Sequence, residues 1–324
     1  MFKKEREKGG VFLPDYIVNG YAYPSIAPGT LQWWLPRITW LSSFSYGFTG
    51  SGELVNLEDY NLIEPASEAG VKTLMVLTPM DSTGMFNDNI AVEVFNNPEA
   101  EENLINNIEE NIKAKGMNGV DFDFEYLNAD YADDYVNLVA RTRERLSPQG
   151  YLTTVALAPK VSTDQPGLLY QGHDYAGMGR AADYCLLMTY EWGYTFGPPM
   201  PVSPINNVRR VIEYGLTQIP AEKILMGMSN YGYDWALPFV AGESRAEKLT
   251  NYQAEARAAY YGVPIQYDEE AQAPFFTYTT PDGTDHIVWF ENEQSWTARL
   301  ALVEEYGLAG ISIWNIMSIF YGGI

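Results

Sequence analysis

Short hydrophobic runs of strand length alternate with longer amphipathic stretches along most of the chain. Eight of the short runs are predicted to be strands from their length and apolar character. Strands that alternate with helices form a parallel sheet, and eight of them close a barrel. The pattern therefore predicts an α/β fold, a (β/α)8 TIM barrel, with strands at Tyr16–Tyr21, Ile38–Phe44, Lys72–Thr78, Gly119–Glu125, Leu152–Leu157, Tyr184–Tyr190, Ile224–Tyr231 and Gly310–Trp314.

Four of the intervening helices are marked by their apolar faces and end signals. Asn97-Pro98 opens the first of them and Gly116 ends it. Gly307 is the expected C-cap of the last helix. The predicted inner faces are Leu104, Ile105, Ile108 and Ile112; Tyr135, Leu138, Val139 and Leu146; Val208, Val211, Ile212 and Leu216; and Leu300, Leu302, Val303 and Tyr306.

The alternation breaks between the seventh and eighth strands, where residues 235–293 are predicted to form a small α+β insertion. Its predicted elements are a helix at Tyr252–Tyr261 and strands at Pro264–Tyr267, Phe275–Thr279 and His286–Phe290. Turn signals such as Pro281-Asp-Gly283 separate these pieces. We expect one catalytic barrel over residues 14–324, insertion included, preceded by an N-terminal extension at residues 1–13.

The fourth predicted strand carries three carboxylates at alternate positions, Asp121, Asp123 and Glu125. Side chains at alternate positions of a strand share a face, so the three acids emerge together. Their mutual repulsion and burial favour a shared proton and raise the pKa of at least one member. An acid that stays protonated near neutrality suits general acid catalysis. The alternative is an edge strand with a solvated acidic face, which the apolar, aromatic opposite face disfavours.

Composition excludes several functional classes. Apolar residues make up 46 % of the 324 residues and aromatic residues 14 %, which supports a large core and could line a sugar-binding cleft. A net charge of −22 argues against nucleic acid or an anionic membrane as the main partner. The chain has one cysteine, Cys185, and two distant histidines, His173 and His286. We therefore predict no metal and no cofactor.

Barrel enzymes place their chemistry at the C-terminal ends of the strands. Several predicted strands end in polar or aromatic residues, and these ends would converge on one mouth. They are Glu125; Tyr190, Glu191 and Trp192; Asn230 and Tyr231; and Trp314. Phe44, Tyr46, Tyr233 and Trp235 are further candidate aromatics of the cleft, whereas Lys160 is expected to be a solvated surface lysine.

From Tyr16 to its end, the chain resembles glycoside hydrolase family 18, the chitinase-like barrels. The family motif Asp-x-x-Asp-x-Asp-x-Glu corresponds here to Asn118, Asp121, Asp123 and Glu125. The sixth-strand Met-x-Tyr motif corresponds to Met188-Thr-Tyr190, and the final-strand tryptophan to Trp314. The segments most similar to the spore-germination subgroup, which cleaves N-acetylglucosaminyl bonds in cortex peptidoglycan, are Asn230-Tyr-Gly-Tyr-Asp-Trp235, Ala156-Leu-Ala-Pro-Lys160 and Pro274-Phe-Phe-x-Tyr278.

The resemblance implies a retaining hydrolase of β-1,4 bonds in N-acetylglucosamine-containing glycans, most closely spore-cortex peptidoglycan. Glu125 would be the acid, Asp123 would orient the substrate's own acetamido group, Asp121 would share a proton with Asp123, and Tyr190 would donate its hydroxyl to the acetamido group. Substrate contacts are expected at Trp314, Met188, Glu191, Tyr231, Asn230 and Trp192.

The chain departs from the family pattern at two positions. Asn118 replaces the first motif aspartate, which removes one carboxylate from the proposed proton relay. Glu191 follows Tyr190 where aspartate is usual, and its longer side chain could change how the sugar's primary hydroxyl is held.

The resemblance also implies a partner and a setting. The partner is an N-acetylated polysaccharide or oligosaccharide, bound by a monomer. The expected location is the spore or cell wall, outside the cell, although the charged N-terminus shows no signal peptide. Three alternatives remain open: a hydrolase of chitin-type oligosaccharides, a non-catalytic sugar-binding relative, and a magnesium enzyme that uses the three acids as oxygen ligands.

Overall fold

Eight parallel strands form a closed barrel in the computed structural model, which describes residues 15–80 and 86–322 and the backbone of two short paired strands, Arg6–Lys8 and Val11–Leu13. Each strand pairs with its neighbour in sequence, and the last pairs with the first. The predicted TIM barrel is confirmed. Its strands are β1 Ile17–Ala22, β2 Trp40–Phe48, β3 Lys72–Leu77, β4 Gly119–Phe122, β5 Leu152–Leu157, β6 Tyr184–Leu187, β7 Ile224–Ser229 and β8 Gly310–Trp314.

Helices surround the barrel and cover its outer face. The predicted inner face of the helix Pro98–Lys115 is buried, the side chain of Asn97 caps its first turn, and Gly116 ends it at a φ of 68°. The helices of the described residues are Pro28–Trp34, Tyr60–Glu68, Asp88–Phe95, Pro98–Lys115, Ala132–Leu146, Leu168–Gln171, Tyr175–Ala181, Ile205–Leu216, Asn251–Tyr261 and Glu293–Tyr306.

The two faces of β4 enter different cores. Val120 and Phe122, with Phe124 just beyond the strand, pack among the helices in the outer core. Asp121 points into the barrel, where its carboxylate meets Tyr21 of β1. This is the inside-and-outside division that the alternating sequence predicted. The apolar positions therefore fix the direction of the acidic ones.

The insertion is a five-stranded antiparallel sheet with one helix, Asn251–Tyr261, packed on it. The predicted boundary was late by four residues, because β7 ends at Ser229 and Tyr231 already begins this sheet. A strand at Glu247–Thr250 was also missed. In spatial order the strands are Glu247–Thr250, Tyr231–Ala236, Asp285–Trp289, Ala273–Thr279 and Gln266–Asp268.

Two barrel strands, β4 and β6, end three residues earlier than predicted, and both end beside the candidate acids. The pairing of β4 with β3 ends at Phe122, followed by one further bond from the Asp123 amide to the Leu77 carbonyl. The residues that follow, Glu125 included, stand on a loop at the mouth of the barrel. Similarly, β6 ends at Leu187, so Tyr190 and Glu191 also belong to the mouth.

Candidate active site

A cavity of about 840 Å³ opens where the C-terminal ends of the strands converge. Its walls combine acids from the β4 and β6 ends with aromatic rings from five or more segments. Among the described residues, those that line it are Tyr21, Tyr23, Phe44, Phe86, Asp123, Glu125, Tyr126, Ala156, Pro159, Gly167, Leu168, Leu169, Tyr170, Leu186, Met188, Tyr190, Glu191, Trp192, Tyr194, Tyr233, Lys248 and Trp314. Of the ten predicted site residues, seven line this cavity.

Glu125 lines the cavity from the loop after β4, and its environment suits an acid. Burial raises the pKa of its carboxyl to about 7, and the nearby carboxylates of Asp88 and Glu191 add to the shift. A carboxylic acid with this pKa keeps much of its proton at neutral pH and can deliver it to a leaving group. Asp88, which opens the helix Asp88–Phe95, was not singled out from the sequence.

This protonation state gives a pH dependence. We expect kcat/KM to fall as pH rises through about 7, because Glu125 loses the proton it must donate. The decline above that pH should approach about tenfold per pH unit. Initial rates measured from pH 4 to pH 9 check this. If the same alkaline decline persisted in the residual activity of Glu125→Gln, another group would be responsible.

Asp123, two residues before Glu125, is 5 % exposed, and one of its carboxyl oxygens has no hydrogen-bond partner among the described residues. Burial raises the pKa of Asp123 well above its usual range, and the carboxylates of Glu125 and Asp121 raise it further. Oδ1 of Asp123 is buried without a hydrogen bond from any described residue. Buried acceptors in folded proteins are nearly always bonded, so this oxygen is prepared for a donor that comes from outside the protein.

Asp121 lies one step deeper and is held by hydroxyl groups from two other strands. Tyr21 of β1 donates to Oδ2 at 2.5 Å, and Thr154 of β5 donates to Oδ1 at 2.5 Å. Burial raises the pKa of Asp121 to about 6, while these two bonds oppose the shift. Asp121 does not line the cavity, so it does not contact a ligand there directly. Tyr21 was not predicted, although it stands at the end of the first predicted strand.

Removing the Tyr21 hydroxyl should destabilise the ionised form of Asp121, to which it donates. In Tyr21→Phe the pKa of Asp121 should rise, because a bond that favours its ionised form is lost. We expect about a tenfold lower kcat and an acidic limb of the pH profile displaced to higher pH. The matched control is Tyr252→Phe, at a residue 73 % exposed on the insertion. An unchanged profile would show that Asp121 does not depend on Tyr21.

Tyr190 reaches the acids from the end of β6. Its hydroxyl makes no hydrogen bond with the described residues, and the carboxylates of Asp123 and Glu125 help burial to raise its pKa. Gly227 of β7 makes room for the ring, since a Cβ there would stand 2.8 Å from Cε1 of Tyr190. Met188, two residues earlier, also lines the cavity. The hydroxyl is therefore free to bind a ligand beside the acids.

Aromatic rings form the apolar part of the cavity. Trp314, at the end of β8, packs edge to face against Phe44 at 4.9 Å and Tyr21 at 5.5 Å between ring centroids. Trp192 lines the wall near the β6 end. Rings fixed in this way present flat apolar surfaces on which the carbon face of a sugar can rest.

Glu191 is held by two hydroxyls from the insertion. Tyr231 donates to Oε1, and Tyr233 donates to both carboxylate oxygens at 2.9 and 3.1 Å. The insertion therefore reaches into the site and fixes the carboxylate that follows Tyr190. Sequence spacing did not predict this contact because the two segments are 40 residues apart.

Several predicted cleft residues lie elsewhere. Asn230 and Tyr231 were expected to contact substrate but do not line the cavity: the amide of Asn230 donates to the Asn315 carbonyl, and Tyr231 supports Glu191. The indole of Trp235 donates to the Gly197 carbonyl. Tyr46 bonds Asp59 on the outer side of the barrel, because β2 continues past Phe44 and alternation turns it away.

A buried network supports the loop that carries Glu125. Nδ1 of His173 accepts from the Ala158 amide, so Nε2 carries the proton and donates to the Phe124 carbonyl at 2.8 Å. Lys160 is 4 % exposed and donates to the His173 carbonyl, so the surface position predicted for it is wrong. Burial lowers the pKa of His173 to about 4, which keeps the ring neutral.

Asn118 lies at the opposite end of β4 from the cavity. Its side-chain oxygen accepts from the backbone N–H of Thr73 at 2.8 Å, and the backbone N–H of Asn118 donates to the Thr73 carbonyl. The residue therefore ties β4 to β3. An amide side chain performs this role without adding a fourth carboxylate to the series.

Two further properties concern metal and membrane. Within residues 15–80 and 86–322, no group of three or more His, Cys, Asp or Glu side chains is arranged to hold a metal ion. None of the helices in the described part of the chain is both long and apolar enough to cross a bilayer.

Buried acids, a free tyrosine hydroxyl and aromatic walls at the mouth of a (β/α)8 barrel define a glycosidase. Sequence comparison agrees, because residues 36–318 match the family described as Glycosyl hydrolases family 18. The chain belongs to that family and is an enzyme of the glycosidase class.

Individual relatives are similar over most of this chain. The cortical fragment-lytic enzyme of Bacillus subtilis (strain 168) is 40 % identical over 281 residues, which cover 87 % of this chain and 65 % of that enzyme, just under two thirds of its length. The crystal structure of the spore cortex-lytic enzyme SleL of Bacillus megaterium QM B1551 matches with a TM-score of 0.88 and 37 % identity, over 94 % of this chain and 71 % of that one. SleL of Bacillus cereus matches with a TM-score of 0.90 and 33 % identity, over 94 % and 72 %.

Proposed function

We propose that this protein hydrolyses the β-1,4 bonds that follow N-acetylglucosamine in spore-cortex peptidoglycan, with retention of configuration and with the substrate's acetamido oxygen as the nucleophile. The observation that carries the mechanism is Oδ1 of Asp123, which is buried without a partner among the described residues on a carboxyl group that interacts electrostatically with Glu125. A sugar acetamido N–H is a donor of the right kind to complete this oxygen. A second carboxylate nucleophile is then unnecessary.

The steps follow from the positions of the groups. Glu125 gives its proton to the glycosidic oxygen while the acetamido oxygen bonds to the anomeric carbon and the glycosidic bond breaks. Asp123 accepts the acetamido N–H and balances the positive charge of the cyclic oxazolinium intermediate. Tyr190 donates its hydroxyl to the acetamido group. The ionised Glu125 then takes a proton from water while the water oxygen bonds to the anomeric carbon. The bond between that carbon and the acetamido oxygen breaks, which opens the oxazolinium ring with overall retention.

The arrangement of pKa values supports this cycle. Asp121 and Asp123 are adjacent buried acids with raised pKa values, so together they hold fewer than two negative charges near neutrality. When positive charge develops on the substrate, the proton can move towards Asp121 and leave Asp123 ionised. The negative charge needed on Asp123 in the transition state thus becomes available without release of a proton to solvent.

The choice of glycan rests on the relatives. The relatives described above include a cortical fragment-lytic enzyme and two spore cortex-lytic enzymes, which supports cortex peptidoglycan as substrate and the spore or cell wall as location. The aromatic floor at Trp314 suits the apolar face of a pyranose ring.

Analysis of reaction products tests the proposal. The protein should release fragments with new reducing N-acetylglucosamine ends from spore cortex, seen by mass spectrometry after borohydride reduction, and the first-formed anomer should be β by proton NMR. De-N-acetylated oligomers should not be cleaved, because they lack the nucleophile. New muramic acid ends would contradict the proposed bond, and an α anomer or cleavage of the de-N-acetylated oligomers would contradict the mechanism. Binding without cleavage would instead identify a sugar-binding protein.

A further inference from the structure

One cation faces the cavity from the insertion. Lys248 lies on the strand Glu247–Thr250, opposite Tyr233 of the strand Tyr231–Ala236. Side chains in register on an antiparallel pair share a face, so Lys248 stands on the same side as the two tyrosines. Its neighbour Glu247 turns to the other face and pairs with Arg257.

The Lys248 ammonium is held over aromatic rings and forms no ion pair with the acids that the structure describes. Nζ lies 3.7 Å from the centroid of the Tyr231 ring and 6.0 Å from that of Tyr233. It makes no hydrogen bond or ion pair with any residue that the structure describes. Burial lowers the pKa of Lys248, and the carboxylate of Glu191, to which both ring hydroxyls donate, opposes that shift. A cation fixed by cation–π contacts remains able to bind an anion.

The charge pattern of the cavity makes Lys248 distinctive. Among the described residues that line it, three are acids, Asp123, Glu125 and Glu191, and Lys248 is the one with a basic side chain. The whole chain has a net charge of −22. A neutral sugar polymer needs no cation in such a site, whereas an anionic ligand needs one to offset the repulsion from the acids.

We propose that Lys248 binds a carboxylate of the substrate and so favours glycans that contain muramic acid over neutral N-acetylglucosamine polymers. This inference rests on the proposed function. In an alternating polymer both neighbours of the reacting N-acetylglucosamine are muramic acid, and each carries a 3-O-lactyl group whose carboxyl is free or amidated. The carboxylate is either that of the 3-O-lactyl group or, where the lactyl group is amidated, one of the attached peptide.

Three substrates separate these sources. The first is an alternating oligosaccharide with free lactyl carboxylates and no peptide, the second is the same oligosaccharide with peptide attached, and the third is a neutral chito-oligosaccharide of equal length. We expect Lys248→Met to lower kcat/KM about tenfold on the carboxylate-bearing substrates and to leave the rate on the neutral one unchanged. A loss on the first substrate identifies the lactyl group, and a loss on the second alone identifies the peptide.

Control variants guard against loss of folding and against a change in net charge. The unchanged rate on the chito-oligosaccharide reports an intact fold and active site. Lys248→Arg should keep the preference for anionic substrates. Lys113→Met makes the same change in net charge at an exposed residue outside the cavity and should alter no rate.

The outcomes distinguish the inference from the proposed function. If wild type cleaves all three substrates and Lys248→Met lowers every rate equally, or none, the carboxylate contact is refuted and the hydrolase stands. If wild type cleaves the neutral oligomer alone, the peptidoglycan substrate is refuted, and the role of Lys248 with it.

Discussion

Glu125→Gln should lower kcat by about 10²–10⁴-fold while substrate affinity stays near that of the wild type. Glutamine preserves the size of the side chain and its hydrogen-bonding capacity but has no proton of suitable pKa to donate. The expected loss is large because the proposed mechanism uses Glu125 twice, as acid for the departing oxygen and as base for water. The raised pKa of its carboxyl, about 7, is the property that the substitution removes.

Steady-state rates and calorimetric affinity measure the two parts of this prediction separately. Glu255→Gln makes the same chemical change at an exposed position on the helix Asn251–Tyr261 and should leave both quantities unchanged. Turnover of Glu125→Gln within a few-fold of wild type would exclude Glu125 as the acid. Lost binding together with lost turnover would indicate that the residue holds the substrate instead.

Asp123→Asn should lower kcat by about 10²–10³-fold and at the same time stabilise the fold at neutral and alkaline pH. The rate falls because asparagine can accept the acetamido N–H but cannot carry the negative charge that balances the oxazolinium. Stability rises because the wild-type carboxyl is 5 % exposed, is crowded by two other carboxylates and has a pKa well above its usual range.

The pH dependence gives the sign of this stabilisation. A carboxyl whose pKa is raised by folding binds more protons in the native state, so the free energy of unfolding falls as pH rises. The free energy of unfolding of the wild type therefore decreases progressively above the unfolded pKa of about 4, whereas Asp123→Asn lacks this contribution. Melting temperatures of both proteins from pH 4 to pH 8 should diverge as pH rises. A difference that is constant over that range would contradict the raised pKa, and Asp282→Asn, at an exposed turn, is the control.

The expected loss of rate and gain of stability in Asp123→Asn together describe a trade-off between activity and stability at the buried acids. Asp123 costs stability as a buried, partly charged group, and no residue of the described chain completes its free oxygen. Sites that bind a transition state are commonly less stable than they could be. The same carboxylate that weakens the free protein is in position to stabilise a bound cation.

Much of the barrel was readable from the chain itself because its signals are local. Every predicted barrel strand is present, and the apolar residues of β4 lie on the helix side as alternation required. The family motif placed Glu125, Asp123 and Tyr190 at one mouth, where they line one cavity.

The wrong predictions concern strand ends, which depend on hydrogen bonding to the neighbouring strands. β4 and β6 stop short because their backbone pairing with the neighbouring strands ends at Phe122 and Leu187, and no residue within those segments signals the stop. Tyr231 was predicted to end β7, as an aromatic residue at a strand end, but it pairs with Thr250 of a strand that the sequence did not reveal.

The sequence by itself determined the class of fold, the face on which the acids stand and the family of chemistry, since each depends on periodicity or on a short motif. Only the tertiary structure decided which groups surround those acids: Tyr21 beneath Asp121, Asp88 near Glu125, and Lys248 over the rings that hold Glu191. These contacts join segments that are distant along the chain. Their pKa values and charges therefore arise from burial and from neighbours that only the closed barrel and its insertion bring together.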